Sequence, residues 1–243
     1  MKKATLELLK DVKGMKENRL FVVDTEKVFE EASDAGMKLK HFIYSDEKEI
    51  PVVCAEIEKE KTRRSFIDRF AAVKSNSGFI AVFQAPKYSI EDMFEEERLV
   101  ILDGVRDPLN AGAIVRSAAA YGINNFICIN SVNLLNERAI RASAGNIFRT
   151  NWAEGSETEI KLIAERFEIV ITDVKEGTDI KKYKPKKDKL AVVLGNESKG
   201  VSAFLRKNAD AKIKISYPGK VESLNVAAAA AIIFHELAGR EVI

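Results

Sequence analysis

Beyond residue 98 the chain alternates short strand-like runs with segments of helical spacing. LVILD, NFICIN, EIVITD, KLAVVLG and AKIKIS are the runs, and AGAIVRSAAAYG, ERAIRASAG, IKLIAERF, VSAFLRKNA and NVAAAAAIIFHELAG have the helical spacing. Strands this short and apolar show no face to water, so the pattern dictates a parallel sheet covered by helices on both sides. In such sheets ligands gather at the carboxyl ends of the strands, where strand order reverses. Three loops at those ends are rich in Gly, Pro, Asn and charge: DGVRDPLNAGAIVR after LVIL, GNESKG after AVVL, and SYPGKVESLN after KIKI.

The first part of the chain alternates as well, with helix-like LELLKDVK, strand-like LFVV, helical TEKVFEEASDAG, strand-like HFIY, a helical segment near AEIEKEKTRRSFIDRFAAV, and strand-like GFIAVF. This predicts a small α/β domain over residues 1–86. Pro86 ends its last strand, and residues 87–98 carry five acidic against two basic side chains, so they read as an unpacked acidic connector to a second domain at 99–243. A length of 243 residues with 46% apolar composition suffices for two such cores.

A formal charge of +2 does not by itself demand a polyanionic partner. The basic stretches KGMKENR (13–19), KTRR (61–64) and KKYKPKKDK (181–189) either meet phosphates or simply face solvent. No apolar run approaches the roughly 20 residues of a membrane span, and the opening MKKATLELLKDVKG has no uninterrupted apolar core of a signal peptide, so a cytoplasmic protein without a membrane partner is expected. Cys54 and Cys128 form no C-x-x-C pair, and His41 and His235 are the only histidines. The expectation is reduced thiols and no metal.

The glycine spacing of GNESKG invites comparison with a phosphate loop, G-x-x-x-x-G-K-[ST]. Val201 stands where the lysine belongs, Lys199 precedes the second glycine, and Glu197 sets a carboxylate where an anion would have to lie, which argues against a nucleotide hydrolase. In the first loop Pro108 fixes a turn, Asn110 suits a helix N-cap, Gly112 leaves room for a backbone or a ligand, and Arg116 follows six residues after Asn110. Capping explains Asn110 as well as a functional role does. In the third loop Ser223 or Asn225 caps an alanine-dense helix whose small side chains permit close packing.

Taken together, Asn110-x-Gly-x-x-x-Arg116, LGNESKG (194–200), Pro218-x-x-x-x-Ser223-Leu-Asn225-Val-Ala-x-Ala, and RASAGNIF (141–148) resemble the motifs of the SpoU or TrmH family of RNA ribose 2′-O-methyltransferases, within the SPOUT class, over residues 99–243. KENRLFVVDTEKVFEEA (16–32) resembles the ribosomal-protein-like substrate-binding domain that often precedes this core, with Thr25 where the family commonly has glycine. The resemblance implies a deep trefoil knot in the parallel-sheet domain and an S-adenosylmethionine pocket walled by the second and third motifs. Its cofactor-binding positions correspond to Thr172, Leu194, Gly195, Asn196, Gly200, Ile215 and Leu224, with glycine at 195 admitting an adenine ring against the backbone.

By the same correspondence Arg116 contacts the attacking hydroxyl or its phosphate, Asn110 and Glu197 orient Arg116 and the RNA backbone, and Ser223 and Asn225 complete the site. A guanidinium is a poor proton acceptor near neutral pH, so a two-point phosphate clamp suits Arg116 better than the role of general base. The resemblance further implies a structured RNA substrate, ribosomal RNA ahead of transfer RNA, with Lys13, Lys16, Arg19, Arg63 and Arg64 adding affinity. It also implies a homodimer through the knotted domain, for which the alanine-rich faces of RSAAAYG and NVAAAAAIIF offer a packing surface. The alternative class, a non-catalytic RNA-binding protein, would call for degenerate motifs, whereas all five site residues are present.

Overall fold

The computed structural model describes residues 3–45, 57, 59–71 and 75–238. The first part comprises α1 (Lys3–Lys10), α2 (Val12–Glu17), β1 (Leu20–Val23), α3 (Glu26–Asp34), β2 (Lys38–Ser45), β3 (Lys59–Thr62), α4 (Arg64–Phe70) and β4 (Phe79–Gln84). Its four strands form one sheet in the order β1-β4-β2-β3. β4 is antiparallel to both neighbours, and β3 runs parallel to β2. The segment KEKT, expected within a helix, is this edge strand. Pairing along β2 outweighs the favourable helix propensity of Lys and Glu, and Glu60 turns inward to accept a hydrogen bond from the Thr5 hydroxyl.

The second part comprises β5 (Arg98–Asp103), α5 (Pro108–Ala120), β6 (Asn125–Ile129), α6 (Glu137–Ala142), β7 (Asn151–Glu154), α7 (Glu157–Arg166), β8 (Glu168–Thr172), β9 (Thr178–Asp179), β10 (Leu190–Gly195), α8 (Ala203–Asn208), β11 (Ala211–Lys214) and α9 (Val226–Ala238). Its sheet has seven strands in the order β7-β6-β5-β10-β8-β11-β9, each paired parallel to its neighbours. The parallel α/β architecture follows the expectation, and the edge strands β7 and β9 are additions to it. Alternate residues divide between two apolar layers. Val100, Leu102, Val192 and Leu194 face α5 and α9, while Leu99, Ile101, Ala191 and Val193 face α7 and α8.

Residues 87–98 are not an unpacked connector. Their 3-10 turn, Glu91–Met93, seats Met93 at 0% and Ile90 at 4% exposure in the second of these layers, because the acidic side chains occupy only the solvent side. The two sheets also share an apolar cluster. Phe21 of β1 stacks on Phe83 at 5.7 Å and on Phe148 at 5.1 Å between ring centroids, and the Arg19 guanidinium lies 4.0 Å over the Trp152 ring.

Strand order reverses beside β5, whose successor β6 lies on one side and β10 on the other. The carboxyl ends of β5 and β10 therefore open the crevice at which the three unusual loops meet.

Candidate active site

At the crevice the chain first secures its own loops. Asp103 ends β5 with a buried carboxylate whose Oδ2 accepts the Ser202 N–H at 2.6 Å, and the Gly104 carbonyl accepts a hydrogen bond from Asn196 Nδ2 at 2.7 Å. Asn196 and Gly200 exchange backbone bonds of 3.0 and 2.8 Å, and Asn196 Oδ1 accepts the N–H groups of Ser198 and Lys199 at 3.0 and 2.9 Å. The amides that would cradle a phosphate are thus spent inside the loop. A Cβ on Gly195 would stand 2.4 Å from the Val201 nitrogen, so the lack of a side chain there admits the returning chain.

The first loop differs from its sequence reading in a consequential way. Asp107, not Asn110, caps α5, accepting the Leu109 N–H at 3.0 Å with Pro108 in the first helical position. The Asn110 side chain is thereby free to face the other loops. Its Nδ2 donates to Glu197 Oε1 at 2.8 Å, and its Oδ1 accepts from Asn225 Nδ2 at 3.0 Å. Asn225 in turn caps α9, its Oδ1 accepting the N–H groups of Ala227 and Ala228 at 2.9 and 3.3 Å. One relay, Glu197–Asn110–Asn225–α9, joins all three loops. It aligns a carboxylate, two amides and a helix N-terminus on one wall of the crevice. Gly112 serves packing: a Cβ there would stand 2.3 Å from the Ala139 carbonyl oxygen on α6.

Other expected site residues lie around this wall. Thr172 closes β8, and Ile215, just beyond β11, and Leu224 are half-buried. Leu194 is buried beneath the sheet, so only its backbone can face a ligand. Ser223 is exposed. Arg116 is exposed on α5 and makes no hydrogen bond or ion pair among the described residues. Six residues at about 100° each leave Arg116 about 120° around α5 from Asn110, whose side chain pairs with Glu197.

The five cations expected to meet RNA are not gathered into one patch. Lys13 and Lys16 lie on α2, ahead of the edge strand β1; Lys13 pairs with Glu17 at 3.6 Å, and Lys16 with Glu154 of the larger sheet at 3.0 Å. Arg19 is stacked on Trp152, and burial lowers its pKa. Arg63 and Arg64 follow β3 at the opposite edge, with Arg64 bonded to Asp68 at 3.0 Å. Cys128 is buried, and desolvation pushes its thiol up to about 12, while Cys54 lies outside the described residues. Among the described residues no cluster of His, Cys, Asp or Glu could hold a metal ion, and no helix is long and apolar enough to cross a membrane.

Sequence reasoning missed Asp103, Asp173 and Arg206, which hold these loops from behind. The available signal was an aspartate directly after each of the apolar runs LVIL and IVIT.

A family model described as the SpoU rRNA methylase family matches residues 97–235. The 23S rRNA (guanosine(2553)-2′-O)-methyltransferase RlmP of Bacillus subtilis is 26% identical over 231 residues, covering 90% of this chain and 88% of that one. An uncharacterized tRNA/rRNA methyltransferase of Mycolicibacterium vanbaalenii is 33% identical over 190 residues, 72% of this chain and 59% of its own length. Among solved structures, the SpoU methyltransferase AviRb of Streptomyces viridochromogenes, in complex with AdoMet, superposes with a TM-score of 0.85 at 21% identity, covering 98% of this chain and 97% of that one. An rRNA methyltransferase from Sinorhizobium meliloti gives 0.82 at 25% identity, covering 96% and 92%. With more than half its length matched by the family model and its three loops joined at the switch point of the sheet, the chain belongs to the SpoU rRNA methylase family.

Proposed function

We propose that the chain transfers a methyl group from S-adenosylmethionine to a ribose 2′-hydroxyl of structured RNA, ribosomal RNA ahead of transfer RNA. The observation that carries this reading is the Glu197–Asn110–Asn225 relay, which unites the three family motifs at the strand-order reversal. The naming of RlmP as a 23S rRNA 2′-O-methyltransferase, across nearly the whole chain, supports ribosomal RNA.

The residues present suit the cofactor. Half-buried Ile215 and Leu224 offer apolar contact beside peptide groups able to read an adenine edge, and the Glu197 carboxylate suits a nearby cation. When bound, S-adenosylmethionine supplies an electrophilic methyl group on a sulfonium. The chain's part is alignment. Asn110, held at both ends, fixes Glu197 and the start of α9, and Arg116 clamps the phosphate beside the attacking hydroxyl. The hydroxyl proton leaves late, to that phosphate or to water.

Arg116 projects from an exposed stripe of α5, so its natural reach is into a site completed by a second copy of the chain. A homodimer through α5 and α9 fits the exposed Leu109, Tyr121 and Ile232 on these two packed helices. The family membership leads us to expect a trefoil knot in this domain, formed by the C-terminal segment passing through a loop. Residues 1–86, carrying Lys13, Lys16, Arg19, Arg63 and Arg64, form the RNA-engaging domain, residues 87–98 join it to the methyltransferase domain, and that domain occupies 99–243.

The test is transfer of a labelled methyl group from S-adenosylmethionine to protein-free 23S ribosomal RNA and to bulk transfer RNA, followed by mapping of ribose methylation. Alkali-resistant 2′-O-methylation of the ribosomal RNA is expected. Label confined to bases, or to transfer RNA, would overturn the assignment.

A further inference from the structure

Behind the crevice, one side chain ties two of its walls together. Arg206, in the last turn of α8, donates from Nε to the Val201 carbonyl at 3.0 Å, and its Nη1 lies 2.5 Å from Asp173 Oδ2. Asp173 directly follows Thr172, and its Oδ1 accepts the N–H groups of Lys175 and Glu176 at 2.9 and 3.1 Å, fixing the turn that leaves β8. The same guanidinium lies against Gly200: a Cβ there would stand 3.2 Å from Nη2. Gly200 also has a φ of +69°, a left-handed conformation that glycine adopts without the penalty other residues incur. The fork thus spans the end of the GNESKG loop and the exit of β8, two segments that reach it from different strands.

An exposed pair between flexible side chains would contribute little. Here the Asp173 side chain is only 11% exposed and is held by two backbone amides, and the guanidinium is held at a second point by a carbonyl. The geometry is that of a brace. We propose that Arg206 and Asp173 are positioning residues for S-adenosylmethionine, setting the separation between the β8 exit at Thr172 and the 195–201 loop without touching the cofactor. This rests on the reading that those two segments wall the cofactor pocket. A lysine at 206 would carry the charge but could not hold the carbonyl and the carboxylate at once in a planar fork.

The experiment uses the full chain. Binding of S-adenosylmethionine is measured by calorimetry, and binding of 23S ribosomal RNA is measured without cofactor, for Arg206→Ala, Arg206→Lys, Asp173→Asn and the double variant Arg206→Ala/Asp173→Asn. Glu168→Gln is the control, since Glu168 is buried far from the crevice at the start of β8, where it accepts bonds from the Tyr183 hydroxyl and the Lys186 N–H. Arg206→Ala and Asp173→Asn should each weaken cofactor binding about tenfold or more, and the double variant no further than the worse single. RNA affinity should stay within about twofold, Arg206→Lys should recover less than half of the loss in binding free energy, and Glu168→Gln should lower Tm while leaving cofactor affinity unchanged. Cofactor affinity within twofold of wild type in Arg206→Ala, or losses that simply multiply in the double variant, would overturn the brace. If Arg206→Ala does not fold, Arg206→Lys and Asp173→Asn carry the same test. A wild-type chain that binds RNA but no S-adenosylmethionine would overturn the pocket reading itself, and the brace with it.

Discussion

Asn110 shows how much chemistry depends on which residue caps a helix. Had it capped α5, its carboxamide oxygen would be occupied by a backbone N–H; with Asp107 in that role, the amide is free to bridge Glu197 and Asn225. Arg116 is exposed and its side chain is unpartnered among the described residues, and the proposed role in clamping the substrate is testable. Arg116→Ala should abolish methyl transfer with cofactor affinity within a few-fold of wild type, and Arg116→Lys should be nearly as poor, because an ammonium lacks the planar fork; parallel loss of binding and turnover would assign Arg116 to the cofactor instead. Asp173 makes a pH prediction. Burial opposes its ionisation, but the Arg206 fork and the amides of Glu176 and Lys175 prevail and hold its pKa at about 2, below the ordinary 3.8. Its contribution to stability is therefore complete above about pH 4 and is lost as pH falls toward 2. Wild-type Tm should drop more steeply across that interval than the Tm of Asp173→Asn, as scanning calorimetry at several pH values would reveal.

At the scale of elements, α5 and α9 each present two faces. Ala111, Ile114, Val115 and Ala118, with Ala230, Ile233, Phe234 and Leu237, are buried inside the protomer. Leu109 at 46%, Tyr121 at 37% and Ile232 at 38% exposure lie outside, and the Tyr121 and His235 rings meet edge to face at 5.8 Å. A charge at Ala230 would thus disrupt the fold before it could report on assembly. Ile232→Glu is the informative change: it should halve the mass seen by light scattering, leave far-UV circular dichroism intact and remove methyl transfer. A fully active wild-type monomer would refute the dimer.

At the scale of the molecule, the two sheets share apolar contacts through Phe21, Phe83, Phe148 and Trp152. Phe21→Ala opens a cavity at this junction and should cost about 3–5 kcal/mol in urea unfolding. Trp152, the sole tryptophan, lies at the junction beneath Arg19, so its fluorescence reports whether the sheets remain packed. Fluorescence and far-UV circular dichroism should follow one urea transition. Early loss of the fluorescence signal would mean that the parts separate before they unfold. Removing residues 1–86 should expose Phe148 and Trp152 and favour aggregation, so RNA affinity is better dissected in the full chain through the salt dependence of variants at Lys13 and Arg63.

The alternation of apolar runs with helical segments was enough to establish the parallel sheet, because strands buried on both faces tolerate few polar residues and crossover helices must cover them. The three loops were likewise legible, since Gly, Pro and Asn cluster where a chain turns at a strand end. Local pattern could not reveal that KEKT pairs as an edge strand, that Ile90 and Met93 seat the acidic segment in a core, or that Arg19 lies on Trp152; each depends on a partner distant in sequence. The same holds within the site. Asn110 and Glu197 stand 87 residues apart, and Asp173 and Arg206 stand 33 apart. The identities of these side chains were written in the sequence, whereas their pairing was decided by strand order, which set β5 beside β10 and β10 beside β8 and so brought the three loops to one end of the sheet.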